Sequence, residues 1–173
     1  MNKHIALFLF LAIGFFLFGL SSCQSDDMVD PAPTTTPYEL DLGNNDLPPP
    51  ALPADNPLTE EGVNLGRHLF YETKLSGDNS MSCGSCHFQE FAFTDTARLS
   101  LGIHGLPGRR NSMAAFNLVY HKEGFFWDGR AAVLRDQVLL PIEDELELDA
   151  TLEDVIDKLE SDPIYPPMFE AAF

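Results

Sequence analysis

Cys83-Gly84-Ser85-Cys86-His87 is the stretch on which the reading of this chain turns. C-x-x-C-H is the attachment sequence of a c-type haem. Residues three apart on a helix share a face, so both thiols can form thioethers with the two vinyl groups of one porphyrin. His87 can then place an imidazole nitrogen on the iron as proximal ligand. Two other chemistries use similar spacing. A thioredoxin-type dithiol follows a buried strand and opens a helix, whereas the polar turn Ser76-Gly77-Asp78-Asn79-Ser80 precedes this motif. A zinc site would draw on the two thiolates and His87 but needs a fourth ligand, and no other cysteine lies in the segment. Haem is the reading the motif supports best.

The N-terminus gives a compartment that suits it. Met1-Asn2-Lys3-His4 carries positive charge, Ile5 to Leu20 is an unbroken apolar run, and Leu20-Ser21-Ser22-Cys23 follows. This reads as an export signal, although the run also approaches the lower limit for a membrane anchor. The Leu-Ser-Ser-Cys ending resembles the lipobox of bacterial lipoproteins, so residues 1–22 are expected to be a lipoprotein signal peptide and Cys23 the acylated anchor. The three cysteines are then accounted for, one for lipid and two for haem, with none left for a disulfide. In bacteria c-type haem is attached outside the cytoplasm. Gln24 after the anchor favours the outer membrane, and Asp26-Asp27 resembles a surface-export tag. The expected location is the periplasm, on a lipid anchor.

The 173 residues carry a formal net charge of −17, nearer −18 once the signal and its Lys3 are removed. That excludes nucleic acid as a partner and suits a basic or neutral redox protein. Residues 23–55 read as a disordered tether rich in Pro, Thr and acidic residues, with Pro48-Pro49-Pro50 within it. From Asn56 to Phe173 enough chain remains for one small core. Thr59 is a plausible N-cap, with Glu60 and Glu61 in the first turn and Val63, Leu65, Leu69 and Phe70 as the apolar face of a helix. A loop from Glu72 to Ser80 leads into a haem-motif helix. Residues 88–112 read as a long irregular loop. Ala131 to Leu140 is expected to be a helix stopped by Pro141. Thr151 caps another helix over Leu152–Glu160, and a short one starts near Pro166. With no alternating strand pattern, the expected fold is all-α, a cytochrome c-like domain whose long loops wrap the haem.

Further motifs give the chain a family resemblance. Asn56-Pro-Leu-Thr, Leu65-Gly-Arg-His-Leu-Phe and Leu75-Ser-Gly-Asp precede the haem motif. Phe93-Thr-Asp, Gly108-Arg-Arg-Asn111, Phe126-Trp-Asp-Gly-Arg130, and Pro141-Ile with Glu147-Leu148 follow it. In this order and spacing, residues 56–173 resemble the N-terminal, peroxidatic haem domain of bacterial di-haem cytochrome c peroxidases and their methylamine-utilisation oxidase relatives.

The resemblance implies roles. Hydrogen peroxide would bind the iron opposite His87 and be reduced to water. A carboxylate must move a proton between its two oxygens; Glu147 falls at that position, although the acidic run Glu143-Asp144-Glu145-Leu146-Glu147 also reads as a solvated face. Gln137 matches a neighbouring distal-pocket position. Trp127, the sole tryptophan, matches an indole that relays electrons between two haems, and it also suits a core aromatic. Asn111 matches a calcium ligand, with an ordinary turn residue as the alternative. His104 lies one residue from the family's distal iron histidine and reads equally as that ligand or as a solvent-facing residue. The implied partners are a small electron-donor cytochrome or cupredoxin, and the resemblance allows a homodimer. The family carries a second C-x-x-C-H in a C-terminal domain, so this chain is expected to be a fragment lacking that haem. Two further functions compete with the peroxidase: a mono-haem c-type electron-transfer cytochrome, and a methylamine-utilisation oxidase-like enzyme acting on a protein substrate.

Overall fold

The computed structural model describes residues 34–43 and 47–173. The expected signal peptide, Cys23 and the first part of the expected tether lie outside the described residues.

Thr59 opens the first helix, α1 (Glu60–Phe70), by accepting the Gly62 N–H at 3.0 Å, and Glu60 and Glu61 occupy the first turn. The other helices are α2 (Leu134–Gln137), α3 (Leu140–Glu143), α4 (Leu152–Glu160) and α5 (Tyr165–Ala172). Single 3₁₀ turns lie at Thr73–Leu75, Cys83–Ser85, Gln89–Phe91 and Leu118–Tyr120. Among the described residues β-pairing is confined to isolated bridges, such as Phe88 with Thr94 and Phe125 with Ala131. The domain is helical with long loops, as expected.

Two local expectations fail. Pro141 does not stop a helix over 131–140; it sits in the first turn of α3. Proline is tolerated there because the N–H it lacks would have no helical acceptor. The haem motif is not an α-helix either. Cys83–Ser85 is one 3₁₀ turn, held by the Cys86 and His87 N–H groups donating to the Cys83 carbonyl at 3.2 and 3.1 Å. One turn is enough to bring residues 83 and 86 to the same side.

The core is formed by Leu65 of α1, Leu75, Ile142 of α3, Leu148, Ala150, Val155 and Leu159 of α4, and Tyr165 and Ala172 of α5. α1 packs on α5, and α4 packs on α5 and on the Thr73–Leu75 turn. Residues 88–139 contribute nothing to this cluster, and leave Phe91, Leu101, Leu106, Phe116 and Trp127 exposed.

A clasp joins the segment before the haem motif to the Leu148–Lys158 segment. The fully buried Ser76 donates from Oγ to the Thr73 carbonyl at 2.9 Å and accepts the Met81 N–H at 3.1 Å, while Lys158 Nζ donates to the Ser76 carbonyl at 2.9 Å. Beside it the Gly77 N–H donates to the Leu148 carbonyl at 2.8 Å. A side chain on Gly77 would collide with the Asp149 carbonyl. The approach to the haem motif is thereby fastened to the segment that carries Glu147.

Part of the expected tether lies along the domain. Tyr38 N–H donates to the Leu58 carbonyl at 3.0 Å, Glu60 N–H to the Thr36 carbonyl at 2.8 Å, and Asp55 pairs bidentately with Arg135 at 3.0 and 3.1 Å. Backbone pairing and a two-pronged ion pair hold these residues where composition alone suggested a free spacer.

Candidate active site

His87 is half-buried, and its Nδ1 lies 2.8 Å from the Phe93 carbonyl. A carbonyl only accepts, so Nδ1 carries the proton and Nε2 keeps its lone pair for a metal. The carbonyl reaches the ring because Ala92 and Phe93 both adopt left-handed conformations, at φ 56° and 58°. Those turns fold the chain back until Phe93 N–H donates to the Phe88 carbonyl at 2.8 Å. Phe70 braces the arrangement, its ring centroid 6.5 Å from the imidazole and edge-on to Phe93 at 5.8 Å.

Cys83 and Cys86 are free thiols, both half-buried. Burial pushes the Cys83 thiol up, and the Glu147 charge adds to it. Burial likewise raises Cys86 against an opposing hydrogen bond from Ser100. Zinc would need further ligands beside the two thiols, and no group of three or more His, Cys, Asp or Glu among the described residues could hold a metal ion. A c-type haem fits better. Its thioether bonds need two thiols on one turn, its iron needs a free imidazole nitrogen, and its apolar plate can cover the aliphatic and aromatic side chains that residues 88–139 leave exposed.

Glu147 is exposed, as its place in the acidic run suggests, but its neighbours are specific. Asp144 is taken by Arg109 at 2.6 Å and Leu148 is buried, while the Glu147 carbonyl accepts the Ile103 N–H at 3.0 Å. Partial desolvation pushes the pKa of the Glu147 carboxyl up, and the Asp144 charge adds to the rise against opposition from Arg130 and Arg109. Its charge is felt at both Cys83 and Cys86, although more than sixty residues separate it from either in sequence.

The remaining expected residues are distributed around this centre. Gln137 is half-buried at the end of α2, and no hydrogen bond joins it to Glu147. Trp127 is 62% exposed, so it is not a core aromatic; its Nε1 donates to the Asn111 carbonyl at 2.8 Å. It sits in a loop closed by the Phe125–Ala131 bridge, where the Arg130 guanidinium lies 3.4 Å above the Phe126 ring and Asp128 ties Arg110 and Arg130 at 3.0 Å each. Asn111 donates from Nδ2 to the Ala97 carbonyl at 2.8 Å. His104 Nε2 lies 2.7 Å from Asp149 Oδ2, engaged by a carboxylate on the clasp. Sequence reasoning passed over Arg109 and Arg130 as electrostatic neighbours of Glu147, and over the Phe93 carbonyl. Nothing in the order of residues marks a main-chain acceptor.

Comparisons with known proteins identify the family. Residues 60–173 match the model of the family described as di-haem cytochrome c peroxidase. The chain is 36% identical over 121 residues to methylamine utilization protein MauG of Methylorubrum extorquens, covering 70% of this chain and 34% of that protein. It is 36% identical over 117 residues to cytochrome c551 peroxidase of Pseudomonas aeruginosa, covering 68% of this chain and 34% of that one. The crystal structure of a MauG-like protein associated with microbial copper homeostasis superposes with a TM-score of 0.71 at 36% identity, over 79% of this chain and 40% of that chain. The chain thus spans about a third of the length of these two curated relatives. With the attachment turn, the oriented imidazole and the family match all on the same residues, this chain belongs to the di-haem cytochrome c peroxidase family.

Proposed function

We propose that the domain is the peroxide-reducing half of a periplasmic cytochrome c peroxidase. When bound, the haem supplies the iron at which peroxide is cleaved and reduced. His87 holds that iron through Nε2, with Nδ1–H locked on the Phe93 carbonyl. Cys83 and Cys86 form the two thioethers. Glu147 acts as the acid/base, taking a proton from one peroxide oxygen and returning it to the other. A carboxyl whose pKa is pushed up suits the second task, because the shift favours the protonated form that returns the proton. Gln137 hydrogen-bonds the bound peroxide, and Trp127 relays electrons from a small cytochrome or cupredoxin. Asn111 serves a calcium ion, a second haem completes the protein, and Cys23 carries the lipid that holds it to the outer membrane.

The carrying observation is the His87 imidazole, held by the Phe93 carbonyl at 2.8 Å so that Nε2 stays free beside the one turn that carries both thiols. In the haem-loaded protein, Glu147→Gln is expected to lower peroxide turnover by about 10²–10⁴ with unchanged haem content. Equal turnover in the two proteins would remove Glu147 from the acid/base role, whereas no peroxide turnover in either would leave the electron-transfer cytochrome. The exposure of Trp127 favours a second reading, in which oxidising equivalents leave through its indole toward a protein substrate.

A further inference from the structure

Asp144 ends α3, and each of its oxygens is used. The carbonyl takes the Glu147 and Asp149 N–H groups at 2.9 and 3.1 Å, Oδ1 takes the Leu146 N–H at 2.9 Å, and Oδ2 takes the Arg109 guanidinium at 2.6 Å. The bonds to N–H groups shape the turn 144–149 and fix the main chain of Glu147. The Glu147 carbonyl in turn accepts the Ile103 N–H at 3.0 Å, so both of its main-chain polar groups are engaged. Its carboxylate accepts no hydrogen bond from any described residue. A fixed backbone with a free carboxylate suits a group that must meet a ligand.

Arg109 reaches this turn from a loop over residues 100–109. The loop is closed at its neck, where the Gly108 N–H donates to the Ser100 carbonyl at 2.9 Å and Leu101 bridges Pro107. There Ser100 Oγ lies 2.7 Å from Ser112 Oγ, and its side chain hydrogen-bonds Cys86. Beyond the neck the loop lies against the Glu147 turn. A Cβ on Gly102 would collide with the Leu146 and Glu147 carbonyls, and His104 Nε2 lies 2.7 Å from Asp149 Oδ2. The loop therefore runs from a haem-attachment cysteine to the backbone of Glu147, and the Arg109–Asp144 pair ties it to the start of that turn.

We propose that Arg109 is a positioning residue for Glu147: through Asp144 it holds the 100–109 loop on the turn that carries the carboxylate, and its charge offsets the Asp144 charge that the carboxylate would otherwise face. The proposal rests on the acid/base reading of Glu147. Asp144 on the same turn raises the Glu147 carboxyl, while Arg109 from the loop and Arg130 from the Trp127 loop oppose the rise. The attachment turn adds the Cys83 and Cys86 thiols, which feel the Glu147 charge. Arg130 is already paired with Asp128 at 3.0 Å. Arg109 acts both directly and by neutralising Asp144, whose side chain is only 25% exposed. Loss of Arg109 would leave that anion poorly hydrated beside Glu147.

The test reads the peroxide reaction of the haem-loaded protein across pH, by the haem absorbance change on mixing. The first proton transfer needs the Glu147 carboxylate, so the rate rises with pH through its pKa. Arg109→Met removes the cation and uncovers the Asp144 charge, and the midpoint is expected to move up by about half a pH unit or more. Asp144→Asn keeps an acceptor for the Leu146 N–H but removes the anion, and the midpoint is expected to move down. Both shifts should shrink in about 1 M salt. Arg109→Lys preserves the charge and the single contact with Asp144, and should restore the parent midpoint. Hydrogen exchange, read without peroxide, is expected to rise within residues 100–109 and 144–149 of Arg109→Met and to stay unchanged in α1. A rate lowered equally at every pH with both midpoints unmoved, or exchange unchanged in those segments, overturns the proposal and leaves the peroxidase reading intact. If Glu147→Gln reacts with peroxide as the parent does, Glu147 is not the acid/base and the proposal falls with that assignment. Should Arg109→Met fail to load haem, the direction of the Asp144→Asn shift decides.

Discussion

Glu147 and Glu72 show how the same side chain is tuned in opposite directions by its surroundings. Partial desolvation raises the Glu147 carboxyl, with Asp144 adding to the rise. A raised acid contributes its stability below the unfolded pKa, near 4.5, and loses it as pH rises through the folded value. Glu147→Gln is therefore expected to melt higher than the parent at pH 7 and to match it near pH 4, in paired thermal melts. Burial also pulls on Glu72, but hydrogen bonds from Tyr165 and Lys74 outweigh it and hold the carboxyl below its usual value. Its contribution is present above 4.5 and is lost as pH falls through the folded pKa. Tyr165→Phe removes the buried donor and should cost about 1–3 kcal/mol in urea unfolding at pH 7, with the difference shrinking in acid. The C-x-x-C-H motif was legible because it is local chemistry. The pairing of Glu72 with Tyr165 was not, because 93 residues separate them and either could equally have faced water.

Among the elements, helices with a capping residue and an apolar stripe were legible. Thr59 and Thr151 cap α1 and α4 as their spacing predicts, each accepting an N–H three residues on. The haem turn and the α2–α3 pair were misread, because proline and the attachment motif are each compatible with more than one turn geometry. The loops are where backbone contact decides. Gly77→Ala would drive a methyl into the Asp149 carbonyl and open the clasp, whereas Gly66→Ala in α1 meets nothing within 4 Å. Thermal melts should show Gly77→Ala clearly destabilised and Gly66→Ala stabilised by about 0.5–1 kcal/mol. If the two behave alike, the clasp does not hold the Glu147 segment.

Taken whole, the domain divides its apolar residues between two centres. α1, α3, α4 and α5 close on each other, while residues 88–139 keep large apolar groups outside that cluster. Haem burial should therefore protect chiefly the loops. Hydrogen exchange on haem-loaded and haem-free protein is expected to show the largest gain in protection within 88–139, with α1 and α4 changing little; a uniform gain would mean that the helical core itself depends on haem. What the order of residues determined is chemistry confined to a few neighbours: the haem-attachment motif, the helix caps, the acidic charge and the ordered motifs of the family. It could not say that the Glu143–Glu147 run holds one carboxylate in the field of the haem cysteines while Asp144 is spent on Arg109. It could not say either that His104 lies on Asp149. Those facts depend on contacts between residues tens of positions apart. Burial, charge and hydrogen bonding take their values only when such residues are brought together, and folding alone does that.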